Sequence, residues 1–214
     1  PKKIAGHDPL AGDSYTAADT RPLVIVNTDN RIIANAIRLN MEPIVEKWIS
    51  HMQRGFLPGR SMLTNIVDFE HTAQGCKLRF ANGATILFDF KAAFPSLSHG
   101  YLHDTLSKLG VPKSICNMVK ALYMGHRCNI NHKGQNFEGF NIAAGIRQGC
   151  PLSPLLFALV IDVFLRRLQR MIPTAMIRAF ADDIGIVLQD VPRDIAPIAA
   201  FFKEMARVSG LYLN

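Results

Sequence analysis

"AFADDIGIVL", residues 179–188, decides the reading of this chain. Eight of its ten residues are apolar or glycine, and two adjacent acids, Asp182 and Asp183, stand in the middle. The apolar runs on either side have strand character, so the acidic break between them reads as a tight turn at a hairpin tip. An Asp pair in a turn is ordinary when taken alone, because Asp favours turns and caps. Its setting is not ordinary. Burying an unpaired carboxylate is costly, and burying two side by side costs more. A second apolar run, "ATILFDF" (84–90), also ends on an acid, Asp89.

Two strands that each end on carboxylates are expected to converge at the edge of one sheet. Adjacent strand residues point to opposite faces, so either the turn rotates Asp183 or one of the pair is the principal ligand. Converging carboxylates repel unless a cation neutralises them. Hard oxygen donors suit Mg²⁺, which takes a few carboxylates together with substrate phosphates. Two such ions, roughly 3.5–4 Å apart, activate a hydroxyl and stabilise a leaving pyrophosphate.

Working outward, the 214 residues suit one domain or one domain with two lobes. With 49% hydrophobic and 19% charged residues the chain can bury a core, which excludes a disordered protein. The formal net charge of +7 suggests a polyanionic partner. The four cysteines show no C-x-x-C spacing, which argues against zinc and for reduced thiols in an intracellular protein, nucleus or cytoplasm undecided. The apolar run "PLLFALVI" (154–161) is too short to span a bilayer, so no membrane partner is expected. The chain begins at Pro1 without Met and ends in "SGLYLN", and it reads as a fragment truncated at both ends.

The order of elements is mixed. "PLVIV" (22–26) reads as a strand, "TDNRIIANAIRLN" as a helix, and "HMQRGFLPGR" (51–60) as a basic, turn-rich loop. "SMLTNIVDFEHTAQG" reads as a helix capped by Ser61, and "ATILFDF" as a buried strand. Short helices are expected near 98–109 and 112–124, followed by a hairpin around Lys133–Gly134. "SPLLFALVIDVFLRRLQRM" is expected to be a helix with Ser153 as N-cap and Pro154 in its first turn. "DIAPIAAFFKEMARVSG" is mostly helical. His99 and His103, four apart on a helix, read as surface residues. This order predicts an α+β fold, an antiparallel sheet with helices on one face.

The motifs resemble those of a known family. "FADD" (180–183) resembles the Y/F-x-D-D box of reverse transcriptases, "FDFKAAF" (88–94) their first aspartate box, and "GIRQGCPLSPLLF" (145–157) their Q-G box. "RPLVIVNTDNRIIANAI" and "QRGFLPGRSMLTNI" are similar to finger-region motifs of the non-LTR (LINE-type) retrotransposon branch. All five occur in family order over almost the whole chain. The resemblance implies a right-hand polymerase with fingers (1–80) and palm (81–214), the thumb absent. It implies an RNA-directed DNA polymerase acting on an RNA template, a DNA primer and dNTPs. Two Mg²⁺ ions would serve it, with Mn²⁺ able to substitute. The oligomeric state is left open.

Roles follow residue by residue. Asp89 and Asp182 would be the principal catalytic metal ligands and Asp183 the third acid, while Phe90 would offer its backbone carbonyl to a metal. Phe94 matches the sugar gate, where a flat ring under the sugar clashes with a 2′-hydroxyl. Gln148 and Gly149 would contact the incoming nucleotide, the glycine permitting close backbone approach. Arg21 matches the finger arginine, whose planar fork suits triphosphate oxygens, and Lys2 stands where relatives carry a lysine near the triphosphate. Arg54 and Arg60 would touch template phosphates.

Pro95 departs from the family, where many relatives carry an acid, and leaves the ligand set untouched. The rival readings are a decayed, catalytically inactive copy that only binds RNA, and another palm polymerase such as a group II intron maturase or a viral RNA polymerase. Survival of the three acids and Gln148 argues against long decay, the finger-region motifs favour the LINE branch, and Phe94 favours DNA synthesis.

Overall fold

In the computed structural model, which describes residues 6–10, 12–14 and 26–214, the opening stretch is a hairpin. Strand β6 (Met176–Phe180) and strand β7 (Asp183–Leu188) pair antiparallel, with Phe180 opposite Asp183. Only Ala181 and Asp182 are left to turn the chain. Strand β3 (Ala84–Phe88) pairs with the other side of β7, giving a three-stranded sheet in the order β3-β7-β6. Phe88 pairs with Ile184, so the next step of this antiparallel register sets Asp89 level with Asp183.

The central strand β7 is buried on both faces from Ile184 to Leu188. Helix α6 (Ser153–Met171) and helix α7 (Val191–Ser209) share one core with Ile184, Ile186 and Leu188. Phe88 of β3 stacks on Phe202 of α7 at 4.6 Å. The opposite side of the sheet receives helix α2 (Met62–Arg79), whose Phe69 ring lies over Gly185; a Cβ there would come within 2.3 Å of that ring. The expectation of a buried strand at 84–90 is corrected. β3 is an edge strand, and Ala84, Thr85 and Leu87 are exposed, because only one side of β3 is paired.

Helix α1 (Thr28–Trp48) continues past its expected end and carries Pro43 within it. Helix α2 is capped by Ser61, whose hydroxyl accepts from the Leu63 N–H, as expected. The short helix α3 (Ala93–Ser96), then α4 (His99–Lys108) and α5 (Lys113–Tyr123), lead into the hairpin of β4 (His126–His132) and β5 (Gln135–Ile142), which turns at Lys133–Gly134. A short ladder of β1 (Gly6–Asp8) with β2 (Gly12–Ser14) precedes them. Residues 22–25 of the strand expected at 22–26 lie outside the described residues.

Helix α6 is apolar nearly all round at its start, and it is buried accordingly: Leu156, Phe157, Ile161 and Leu165 are fully enclosed. Its N-cap is Leu152, not Ser153. Ser153 is the first helical residue, and its hydroxyl meets the Tyr123 phenol at 2.9 Å inside the core, which takes it away from capping. Burial pushes that phenol pKa well above its ordinary value. Asp162, wholly buried in α6, is ion-paired with Arg166 at 2.7 Å and accepts from the Ser50 backbone and hydroxyl. Arg166 in turn lies over the Trp48 ring at 4.5 Å. These contacts fix the 49–61 loop to the central helix.

Candidate active site

The sheet register assembles the acids. Asp183 starts β7, Asp182 occupies the turn before it, and Asp89 follows β3 at the same level. Asp89 and Asp183 are exposed and Asp182 is half-buried. Burial first, then the neighbouring charges of Asp182 and Asp89, raise the pKa of Asp183. Asp183 therefore feels the charge of both other acids. Among the described residues no three His, Cys, Asp or Glu side chains close to metal-holding separation. The donor chemistry nonetheless fits a hard cation, because mutually repelling carboxylates at one edge supply only oxygen.

Phe90 points its ring into the core against Phe164 and Phe202. Residues 89–91 pair with 212–214: the Lys91 N–H donates to the Tyr212 carbonyl and the Asn214 N–H to the Asp89 carbonyl. Phe90 sits opposite Leu213 between those two bonds, so its own carbonyl is directed away from that partner. The Asn214 amide also donates to the Asp89 carboxylate at 2.5 Å.

Ala92 is left-handed (φ 48°) and turns the chain back into α3. Phe94, half-buried, stacks on Phe157 at 4.7 Å, while Phe56 meets it edge-on at 5.9 Å. The loop carrying Gln148 and Gly149 is tied to this segment. The Ile146 N–H donates to the Phe94 carbonyl, the Gly145 N–H to the Leu97 carbonyl, and the His99 ring bonds the Gly145 carbonyl at 2.7 Å. Gly145 (φ 92°) has no alternative: a Cβ there would lie 2.5 Å from the Pro95 carbonyl oxygen. Thus the residues leading into the turn at Gln148–Gly149 are hydrogen-bonded to the segment that carries Phe94. His99 is buried, which corrects its reading as a surface residue. Its spacing with Leu102 and Leu106, both core residues of α4, was the signal available for it.

Arg54 and Arg60 are turned inward. Arg60 donates to the carbonyls of Glu46, Ile49, Ser50 and Gln53, and so ties off the end of α1. Burial lowers its pKa. Arg54 donates to Asn65 at 3.1 Å and to Asp68 at 2.8 Å, and Arg178 of β6 meets the same Asp68 oxygen at 2.8 Å. Both guanidinium groups are thus engaged within the protein rather than held out as unpartnered surface charges. Lys2 and Arg21 lie outside the described residues.

Beside the acids a cavity of about 700 Å³ opens between α2 and the sheet, lined by Ile66, Phe69, Leu87 and Phe180 together with Asp89 and Asp183. Sequence reasoning missed Asn65, whose buried amide donates to the Ala179 carbonyl in β6, and Gln53, which was read as part of a loop.

The family described as Reverse transcriptase (RNA-dependent DNA polymerase) matches residues 7–214. The chain belongs to the reverse transcriptase family. Among the relatives of this chain is the Retrovirus-related Pol polyprotein from type-2 retrotransposable element R2DM of Drosophila melanogaster, 34% identical over 171 residues, covering 76% of this chain and 15% of that protein. Another is the Transposon TX1 uncharacterized 149 kDa protein of Xenopus laevis, 28% identical over 195 residues, 86% of this chain and 15% of that one. These retrotransposon relatives agree with the non-LTR resemblance. The chain spans only 15% of the length of each. A telomerase of Candida tropicalis, solved with a TWJ fragment of telomeric RNA, superposes with a TM-score of 0.62 at 12% identity, covering 85% of this chain and 32% of that one. That likeness places the chain in the right-hand polymerase fold. Among the described residues no helix is long and apolar enough to cross a membrane.

Proposed function

We propose that this chain is the catalytic core of an RNA-directed DNA polymerase of a non-LTR retrotransposon, with residues 1–80 as fingers and 81–214 as palm. The observation that carries the reading is the register that sets Asp89 level with Asp183 and beside Asp182, in a chain of this family. Asp89, Asp182 and the Phe90 carbonyl would hold two Mg²⁺ ions, with Asp183 as the third acid and Mn²⁺ as a substitute. Bound there, the ions would supply charge neutralisation at the primer 3′-hydroxyl and the departing pyrophosphate. The protein's own part is positioning. Phe94, backed by Phe157, offers a flat face to the sugar, and the turn at Gln148–Gly149, whose leading residues are bonded to the Phe94 segment, meets the nucleotide. Arg21 and Lys2 remain proposed triphosphate contacts. The partners are an RNA template, a DNA primer and dNTPs.

Primer extension on an oligo(dT)–poly(rA) hybrid with Mg²⁺ tests the reading. Short products from wild type that vanish in Asp182→Asn are expected. Hybrid binding without any product, from this chain and from a longer protein that includes the downstream segment, would replace it with an RNA-binding module.

A further inference from the structure

The turn that presents Asp182 and Asp183 is built on an unfavourable residue. Ala181 has φ 59°, a left-handed conformation at the first position of a two-residue hairpin turn, a place that glycine takes readily and alanine does not. Something must hold it there. Gln53, 128 residues away in sequence and fully buried, does so. Its amide nitrogen donates to the Ala181 carbonyl at 3.0 Å, and its amide oxygen accepts from the Ala181 N–H at 3.0 Å. The same oxygen accepts from the Gly55 N–H at 2.8 Å. Both neighbours of that oxygen are donors and the third is an acceptor, so the amide has a single satisfied orientation.

The fit extends to the backbone. Residues 52–54 add to the free edge of β6: the Ala179 N–H donates to the Met52 carbonyl and the Arg54 N–H to the Ala179 carbonyl. Gly55 then passes so close that a Cβ would stand 2.1 Å from the Ala181 nitrogen. The segment is thus shaped to bring one amide against one peptide unit.

We propose that Gln53 is a positioning residue of the active site: it grips both sides of Ala181 and so sets the direction in which Asp182 and Asp183 leave the turn. This rests on the reading of those acids as metal ligands. Gln53 touches no reacting atom; it acts through the turn. Removing the grip lets Ala181 relax towards negative φ and swings the acids away from Asp89. Glycine at 181 needs no grip.

The test is Mn²⁺ binding to this chain, followed as loss of the free-ion EPR signal, with wild type, Gln53→Met, Gln53→Met/Ala181→Gly and Asp182→Asn, and far-UV circular dichroism to establish folding. Methionine keeps the length of the side chain and removes its hydrogen bonds. Gln53→Met should weaken Mn²⁺ affinity by at least about tenfold, the scale of losing a group that orients a metal ligand. Ala181→Gly in that background should restore most of it, compared at a temperature where circular dichroism shows both variants fully folded. No binding by wild type, or binding unchanged in Asp182→Asn, overturns the functional reading and this inference with it. Binding lost in Asp182→Asn but retained in Gln53→Met overturns the inference alone, as does failure of Ala181→Gly to rescue. If Gln53→Met does not fold, a folded and Mn²⁺-binding double variant still supports the grip. Unfolding of both shows that the amide is general core support and overturns it.

Discussion

Single side chains carry two opposite lessons about arginine and phenylalanine. Arg60 has the look of a nucleic-acid contact in sequence, yet it satisfies carbonyls of Glu46, Ile49, Ser50 and Gln53. Arg60→Ala leaves those acceptors short of a charged donor and should lower unfolding stability by on the order of 2–4 kcal/mol. The salt dependence of hybrid binding should stay as in wild type, whereas loss of a phosphate contact reduces the slope by about one. A urea melt and a salt titration read the two separately. Phe94 is the converse case. Its ring is pinned by Phe157 and Phe56, so the face it offers is fixed rather than mobile. Phe94→Val removes that face, and incorporation of rNTPs relative to dNTPs should rise by about tenfold to a hundredfold, measured by single-nucleotide extension.

Elements show how the two sides of the sheet are secured. Asp68 of α2 joins Arg54 of the 49–61 loop to Arg178 of β6, and its hydrogen bonds to Arg178 hold its pKa below the usual carboxylate value. A depressed folded pKa contributes stability that is present above the unfolded value, about 4, and that drains away as pH falls through the folded value. Asp68→Asn should therefore be less stable than wild type at pH 7 and lose less on acidification below about pH 4, as seen in denaturant midpoints against pH. On the other side of the sheet α6 supplies the bulk of the core. Leu165→Ala, at a site with no exposure, should cost about 2–5 kcal/mol. Leu87→Thr on the exposed edge strand, where the leucine is 77% exposed, should stay within about 0.5 kcal/mol. Both follow from chemical denaturation.

At the scale of the molecule, what could be read in the sequence was what repeats locally. The apolar spacing of α2, α4, α5 and α7 and the Lys133–Gly134 hairpin act through near neighbours, and the acidic turn is marked by its own residue types. The convergence of Asp89 with Asp182 and Asp183 was legible because each ends a strand. What stayed hidden depends on distant partners. "ATILFDF" has the composition of a central strand, and only the strand order makes it an edge. Ser153 looks like a cap until Tyr123 meets it in the core. Gln53 and His99 look like surface polar residues until the fold brings Ala181 and Gly145 to them.

Those distant partners have a kinetic consequence. The Gln53–Ala181 grip spans 128 residues, the Asn214–Asp89 bond 125, and the Ser50–Asp162 contact 112. Each closes a loop of more than half the chain, and the entropy of closing such loops is met before any of them stabilises the fold. The helices and the β4–β5 hairpin have only short loops to close. The acidic turn therefore reaches its working shape late in folding. A ribosome must release nearly the whole segment before the three acids are brought together, so unfinished chains carry the acids without the arrangement of the finished fold.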